Sequence, residues 1–287
     1  MQAMSASQNH GFEIEQRLIS EFPRRNPNLV MPTMDMTRGY TARFDVPGYL
    51  DPFGRGVPTS IKASHFRGPR TLVCLADALR TVALGNEERL RLMVALYRQD
   101  KDQKLVEELR EYEILGSEWN QMCGHVPPDQ IEAFANDLKH GTHHEARVRA
   151  KEWQKNLAAL YPSRMRWNPK IDSVRQRRLQ CSISLQDIEA SIQDPRRIRV
   201  YGREMGDRPR PGYLKAQSER LWGRGLHFPM VLDSPARSRK PKKVEEVASS
   251  PELNGAENSL SAPSASVPDE SQKVARVPLA LTRARMR

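Results

Sequence analysis

Asp45 and Lys62 are the residues around which a chemistry can be built. In the run Ala42–Val46, strand alternation turns Phe44 and Val46 one way and Arg43 and Asp45 the other. In Thr59–Ser64, Ile61 and Ala63 take the apolar side, while Ser60, Lys62 and Ser64 take the opposite one. A hairpin joining the two runs across PGYLDPFGRGVP therefore brings a carboxylate and an ammonium onto one face. That pair suits phosphodiester hydrolysis: the carboxylate holds a divalent cation, and the lysine orients or activates water and steadies phosphate charge. An ordinary cross-strand ion pair satisfies the same pattern.

Glu15 supplies a further carboxylate. Its spacing from Phe12, Leu18 and Ile19 sets it within the apolar stripe of a helix over Gly11–Phe22, whereas Glu13 falls on the polar side. Carboxylates are seldom buried alone, so a metal, a lysine or a rim position reaching solvent would each account for it.

A second constellation lies in NPKIDSVRQRRLQCSI, Asn168–Ile183. Arg and Gln side chains make phosphate contacts and bidentate base contacts, so Arg175, Gln176, Arg177, Arg178 and Gln180 are the expected contacts to DNA. The other reading is a solvated basic loop ahead of an edge strand. Farther on, PRRIRVYGR and RPRPGY interleave arginines with Tyr201 and Tyr213, as a base-stacking arm or an unstructured basic linker would. His140, His143 and His144 lack further donors for zinc and read as a solvated helix start, and the four tryptophans read as core or interface anchors.

The elements that must position these groups follow from periodicity. The first helix ends at Pro23; the runs around Asp45 and Lys62 are short strands; Leu75–Leu84 reads as a helix. Leu90–Arg98 and Leu105–Leu115 read as two strands, the second being equally compatible with a helix on periodicity alone. Two helices follow from Pro128, broken near Gly141, and Arg177–Leu185 is the last strand expected.

A helix with an embedded Glu15, a strand bearing Asp45, a Gly- and Pro-rich turn, and a strand carrying Ile61-Lys62 followed by a helix together resemble the PD-(D/E)XK superfamily of nucleases, over roughly residues 11–115. The resemblance implies an α/β fold: a restriction-endonuclease-like mixed sheet core flanked by helices. It implies magnesium-dependent hydrolysis of DNA, as in a type II restriction enzyme, with Asp45 and Lys62 catalytic. The family's second acid, two residues before the lysine, is Ser60 in this chain. Variants that lose this acid recruit another, for which Glu15 is the candidate metal ligand beside Asp45, and Glu107 a weaker one. A DNA- or RNA-binding protein without catalysis is the competing reading, and a small interaction protein binding an acidic partner is a third.

Charge agrees with a polyanionic partner. The 287 residues carry 46 Lys and Arg against 35 Asp and Glu, a net of +11, with an isoelectric point near 9.8. Between Arg164 and Arg224 there are fifteen basic and seven acidic residues, so eight of the eleven excess charges fall in about a fifth of the chain. DNA is the expected partner, with a second copy of the chain as a candidate and no membrane partner. Cys74, Cys123 and Cys181 show no CxxC spacing, which fits a reducing compartment, and the start of the chain lacks the pattern of a signal peptide; a cytoplasmic location is expected. The expected organisation is a flexible start over residues 1–8, a nuclease-like domain over 9–232 with its basic helical part from 116, and a disordered tail over 233–287, poor in aromatics.

Overall fold

The computed structural model describes residues 14–20, 44–51, 53–75, 77–100, 103–173, 176–203, 212–215 and 227–233. Arg43, Arg175, Trp222 and the tail expected beyond Asp233 lie outside them. The fold is α/β, with a mixed sheet flanked by helices.

Two sheets form the framework. The larger has β1 (Thr59–His65), β3 (Arg89–Asp100), β4 (Gln103–Leu115), β7 (Ile198–Gly202) and β8 (Leu214–Lys215) in that order, with β9 (Met230–Asp233) also on β4. The smaller has β2 (Leu72–Leu75) against β6 (Gln176–Ser184) and β6 against β5 (Arg166–Ser173), all antiparallel. β3 and β4 are the two strands expected over Leu90–Arg98 and Leu105–Leu115; they pair antiparallel, registered Leu92 to Tyr112 and Val94 to Arg110. Each inner strand buries residues on both faces, which explains the apolar run over residues 92–97 of β3; β4 instead interleaves its apolar residues with charges. β4 pairs with β7 over Glu108–Tyr112 and with β9 over Gln103–Val106, exchanging partners at Glu107.

Alternate residues of these strands feed two cores. Leu90, Leu92, Val94, Leu96, Tyr112 and Ile114 face the smaller sheet and the helices; Met93, Ala95, Leu109 and Tyr201 face Ile14 and Leu18 of helix α1 (residues 14–20). On the first side lie α2 (Ala78–Ala83), α3 (Gly116–Met122), α4 (Pro128–Asp137), α5 (His143–Leu160) and α6 (Leu185–Ser191). Asp77 caps α2 and Thr142 caps α5, the latter in a reciprocal box with Glu145. Between α4 and α5 the chain reverses at Gly141, whose φ of +73° is costly for a side chain. His143 and His144 thus sit at a helix start, as expected. Trp119 is fully buried and donates to Thr81 O at 2.7 Å, and Trp153 stacks on Phe134 with centroids 3.9 Å apart.

Several expectations require correction. The run before Pro47 makes only one antiparallel bridge, Val46 to Thr59, because the chain turns at once into a 3-10 turn over Gly48–Leu50; the long partner of β1 is β3, and it is parallel. Phe44 and Val46 do not share a face: Phe44 packs on the first core and Val46 lies in the second. The helix expected over Leu75–Leu84 begins only at Ala78, since Leu75 ends β2. Asn168 opens no loop but lies in β5, and β6 is followed by three further strands, the last ending at Asp233, one residue inside the expected tail. Among the described residues, no helix is long and apolar enough to cross a membrane.

Candidate active site and basic face

The turn between Asp45 and Lys62 is built around a buried carboxylate. Asp51, 2% exposed, accepts hydrogen bonds from the backbone N–H groups of Phe53, Arg55 and Val57, closing the turn on itself. Its Oδ1 also accepts from Arg91 Nη1 at 2.7 Å, and Arg91 is completely buried. Burial works to raise the Asp51 pKa, but the Arg91 hydrogen bond and charge, with the loop N–H groups, hold it below the ordinary value. Arg91 Nε lies 3.1 Å from Glu111 Oε1, close enough for charge attraction but outside hydrogen-bond geometry, and among the described residues its Nε and Nη2 find no hydrogen-bond partner. The Phe53 ring covers the guanidinium at 4.2 Å. Glu111 is shared in turn with Arg199 and Tyr201. The turn must also approach itself closely at Gly48, where a Cβ would stand 2.2 Å from Gly56 O.

This anchored turn delivers Asp45 to the edge of β1. Asp45 Oδ2 accepts from Lys62 Nζ at 2.9 Å, from Ser60 Oγ at 3.1 Å and from the Ile61 N–H. Lys62 Nζ also donates to Ile61 O at 2.8 Å. An ammonium has three N–H donors, so one remains for an incoming group. Both side chains are 24% exposed, partly desolvated yet reachable. The structure thus brings the pair together, with Ser60 in the same cluster where the resembled family has its acid.

Glu15 occupies the half-buried rim of α1. The helix is fixed by Ile14 and Leu18, which pack in the same cluster as Val46 and Ile61, the chain neighbours of Asp45 and Lys62. Glu107, also half-buried, stands at the point where β4 changes partner. Among the described residues, no group of three or more His, Cys, Asp and Glu is arranged to hold a metal. The donor set suits a sparser arrangement: Asp45 Oδ1 accepts no hydrogen bond among the described residues, and magnesium is commonly held by one or two carboxylates completed by substrate phosphate and water.

The sheet carries a second charged cluster on the Lys62 side. Register aligns Lys62, Val94 and Arg110 across three strands. Arg110, nearly buried, is paired with Glu108 and with Glu189 of α6, and Tyr112 donates to the same Glu189 at 3.0 Å. Nothing in the local sequence pattern singles out this group, because it is assembled from β4 and α6.

The residues expected to touch DNA divide. Arg177 is 7% exposed, and its Nη1 donates to Leu138 O at 3.2 Å and His140 O at 2.8 Å, just past the end of α4. That inward position corrects the expectation of a DNA contact at Arg177: its guanidinium serves helix-end carbonyls. Arg178 is exposed and Gln180 half-exposed on the opposite face of β6. Gln176 begins the strand, and Arg175 lies outside the described residues. Of the arm residues, Tyr201 is fully buried and donates to Glu111 at 2.5 Å, so it cannot stack on a base. Sequence reasoning missed Arg147, Lys151 and Lys170, although the four-residue spacing of the first two marks one exposed helical face.

Compared with known proteins, the chain matches no family model, no curated protein and no solved structure.

Proposed function

We propose that the protein is a magnesium-dependent endonuclease that hydrolyses DNA phosphodiester bonds, a variant of the restriction-endonuclease-like PD-(D/E)XK class, acting as a type II restriction enzyme. The observation that carries this reading is the Asp45–Lys62 pair at 2.9 Å, held by a rigid turn at a partly exposed strand edge. Asp45 and Glu15 would hold the ion, which when bound neutralises phosphate charge and lowers the pKa of water. Lys62, with one N–H unused, is placed to donate to a phosphate oxygen as negative charge develops. Ser60 and the Ile61 N–H keep the Asp45 carboxylate oriented.

Plasmid DNA incubated with magnesium, with and without EDTA, tests the reading. Asp45→Ala and Lys62→Ala should each abolish cleavage while binding is retained; wild-type cleavage by either variant refutes the site. Glu15→Gln should lower the rate and weaken the magnesium dependence together, and unchanged specific activity in folded protein removes it as a ligand. One observation favours a second reading, a DNA- or RNA-binding protein without catalysis: a hydroxyl, Ser60, replaces the acid, and Lys62 and Asp45 already satisfy each other. That reading requires salt-dependent binding with no strand cleavage under any metal.

A further inference from the structure

The rule at four of the least exposed arginines is a matched carboxylate: Arg91 with Asp51, Arg110 with Glu108, Arg197 with Glu118, and Arg199 with Glu111. One face departs from that rule. On α5, Arg147 and Lys151 are exposed one turn apart, a rise of about 6 Å. Arg149, between them, turns the other way to Asp137 and to the carbonyls at the end of α4. On the smaller sheet, Lys170 of β5 stands directly opposite Arg178 of β6, both exposed. Like charges directly opposite on neighbouring strands repel. None of these four cations has an ion-pair partner among the described residues.

Three of them, Arg147, Lys151 and Lys170, line an open groove of about 730 Å³ between α5 and β5, where the single carboxylate is that of Asp172. The walls are fixed. Gln154 Nε2 donates to Trp167 O at 2.6 Å, tying α5 to β5, and the Trp153–Phe134 stack ties α5 to α4. Beside the Lys170–Arg178 pair, register places the amides of Asn168 and Gln180 opposite each other.

We infer that this face, formed by α5, β5 and β6, holds the phosphate backbone of duplex DNA, at a surface distinct from the Asp45–Lys62 edge. The inference rests on the DNA reading above. Cations without ion-pair partners among the described residues, about 6 Å apart along the helix and about 5 Å apart across the strands, fit an evenly charged polyanion. Beside them the Gln180 amide adds a group of the kind that reads base edges, while the NH2 of Asn168 donates to Arg166 O and Ser182 Oγ. β5 stands two strands beyond β2, about 10 Å away, and Ser64 Oγ donates to Leu72 O where β2 meets β1. The face and the strand that carries Lys62 are thereby parts of one framework.

The test is fluorescence anisotropy of a labelled duplex with the full chain, titrated over about 50–200 mM salt. In the triple variant Arg147→Ala, Lys151→Ala, Lys170→Ala, the slope of log affinity against log salt should fall by nearly three, at about 0.9 per lost phosphate contact. At about 0.1 M salt each contact is then worth close to tenfold, so affinity should drop on the order of 100-fold or more. The exposed pair Arg80→Ala, Arg98→Ala should leave the slope unchanged, and melting should be unchanged in both variants. If the wild type binds DNA and the triple variant binds with the same slope, this inference is overturned and the DNA reading stands. If the wild type shows no salt-dependent DNA binding, both fall. Triple-sensitive binding without any cleavage supports the groove and removes the nuclease assignment alone. Triple-sensitive binding of polyglutamate in place of DNA would assign the groove to an acidic protein and overturn the inference.

Discussion

Replacing Asp51 by alanine should destabilise the protein by about 3 to 5 kcal/mol, the usual cost of removing one partner from a buried ion pair. The substitution takes the one carboxylate that hydrogen-bonds Arg91 away from a guanidinium with no exposed surface, leaving Thr59 and the attraction of Glu111. It also frees three loop N–H groups: those of Phe53 and Arg55 are part-buried and can reach water, whereas that of Val57 is buried and adds to the loss. At about 2–4 °C per kcal/mol for a domain of this size, melting should fall by about 6–20 °C. Asp51→Asn keeps an oxygen for the loop and should cost less. Combining Asp51→Ala with Arg91→Met removes the stranded charge, so the double variant should be more stable than additivity predicts by about 0.5–3 kcal/mol. Urea unfolding at neutral pH measures all three. A loss below about 1 kcal/mol for Asp51→Ala, or strict additivity in the double variant, would show that the network does not hold the turn. Because the turn delivers Asp45 to Lys62, folded Asp51→Ala protein should also cleave DNA more slowly.

Acid should act through the same carboxylates. Burial favours the neutral form of Glu118, but Arg197 and the N–H groups of Gln193 and Leu115 depress its pKa, as Arg91 does for Asp51. Their stabilisation is fully present above the ordinary values of 4.5 and 3.8 and is lost as pH falls through the lower folded values, so urea midpoints should fall below about pH 4.5, less steeply in Glu118→Gln. An identical acid profile in that variant would refute the assignment. A thiol reagent should label Cys74 alone in the native protein, because Cys123 and Cys181 are buried and burial pushes the Cys181 thiol up to about 12; rapid labelling of three thiols would contradict the packing. Arg177→Ala should cost about 1–3 kcal/mol with no change in the salt slope of DNA binding, whereas Arg178→Ala should lower the slope by about one and leave melting alone. The reverse assignment would overturn the orientation of β6.

The two sides of β6 show what the sequence could reveal. Leu179, Cys181 and Ile183 share the parity of Arg177 and are all buried, so the inward turn of Arg177 was legible from alternation alone. What lies past the end of α4 was not, since Leu138 and His140 are far from Arg177 along the chain. A long apolar run made β3 visible, β4 was readable as a strand or a helix, and Pro128 and Gly141 marked the two helices. Parallel pairing of β1 with β3 has no local signature, and β7–β9 are too short, in polar surroundings, to show a period. The Asp45–Lys62 pair was legible because a single turn joins the two; the Arg110 cluster was not, because its members come from separate elements.

The exchange of partners along β4 has a consequence for synthesis. Its inner edge is covered at once by β3, a neighbour in sequence, but its outer edge waits for β7 at Ile198–Gly202 and for β9 at Met230–Asp233. A chain emerging from the ribosome therefore carries a paired hairpin with one long open edge, rich in Leu and Val, through more than eighty residues of further elongation. Glu108, Arg110 and Glu111 punctuate that edge with charge, each later matched by a partner from the arriving segments or the strand itself. The side chains that pair in the finished sheet are, before their partners arrive, charges of the kind that discourage an open strand edge from pairing with another copy.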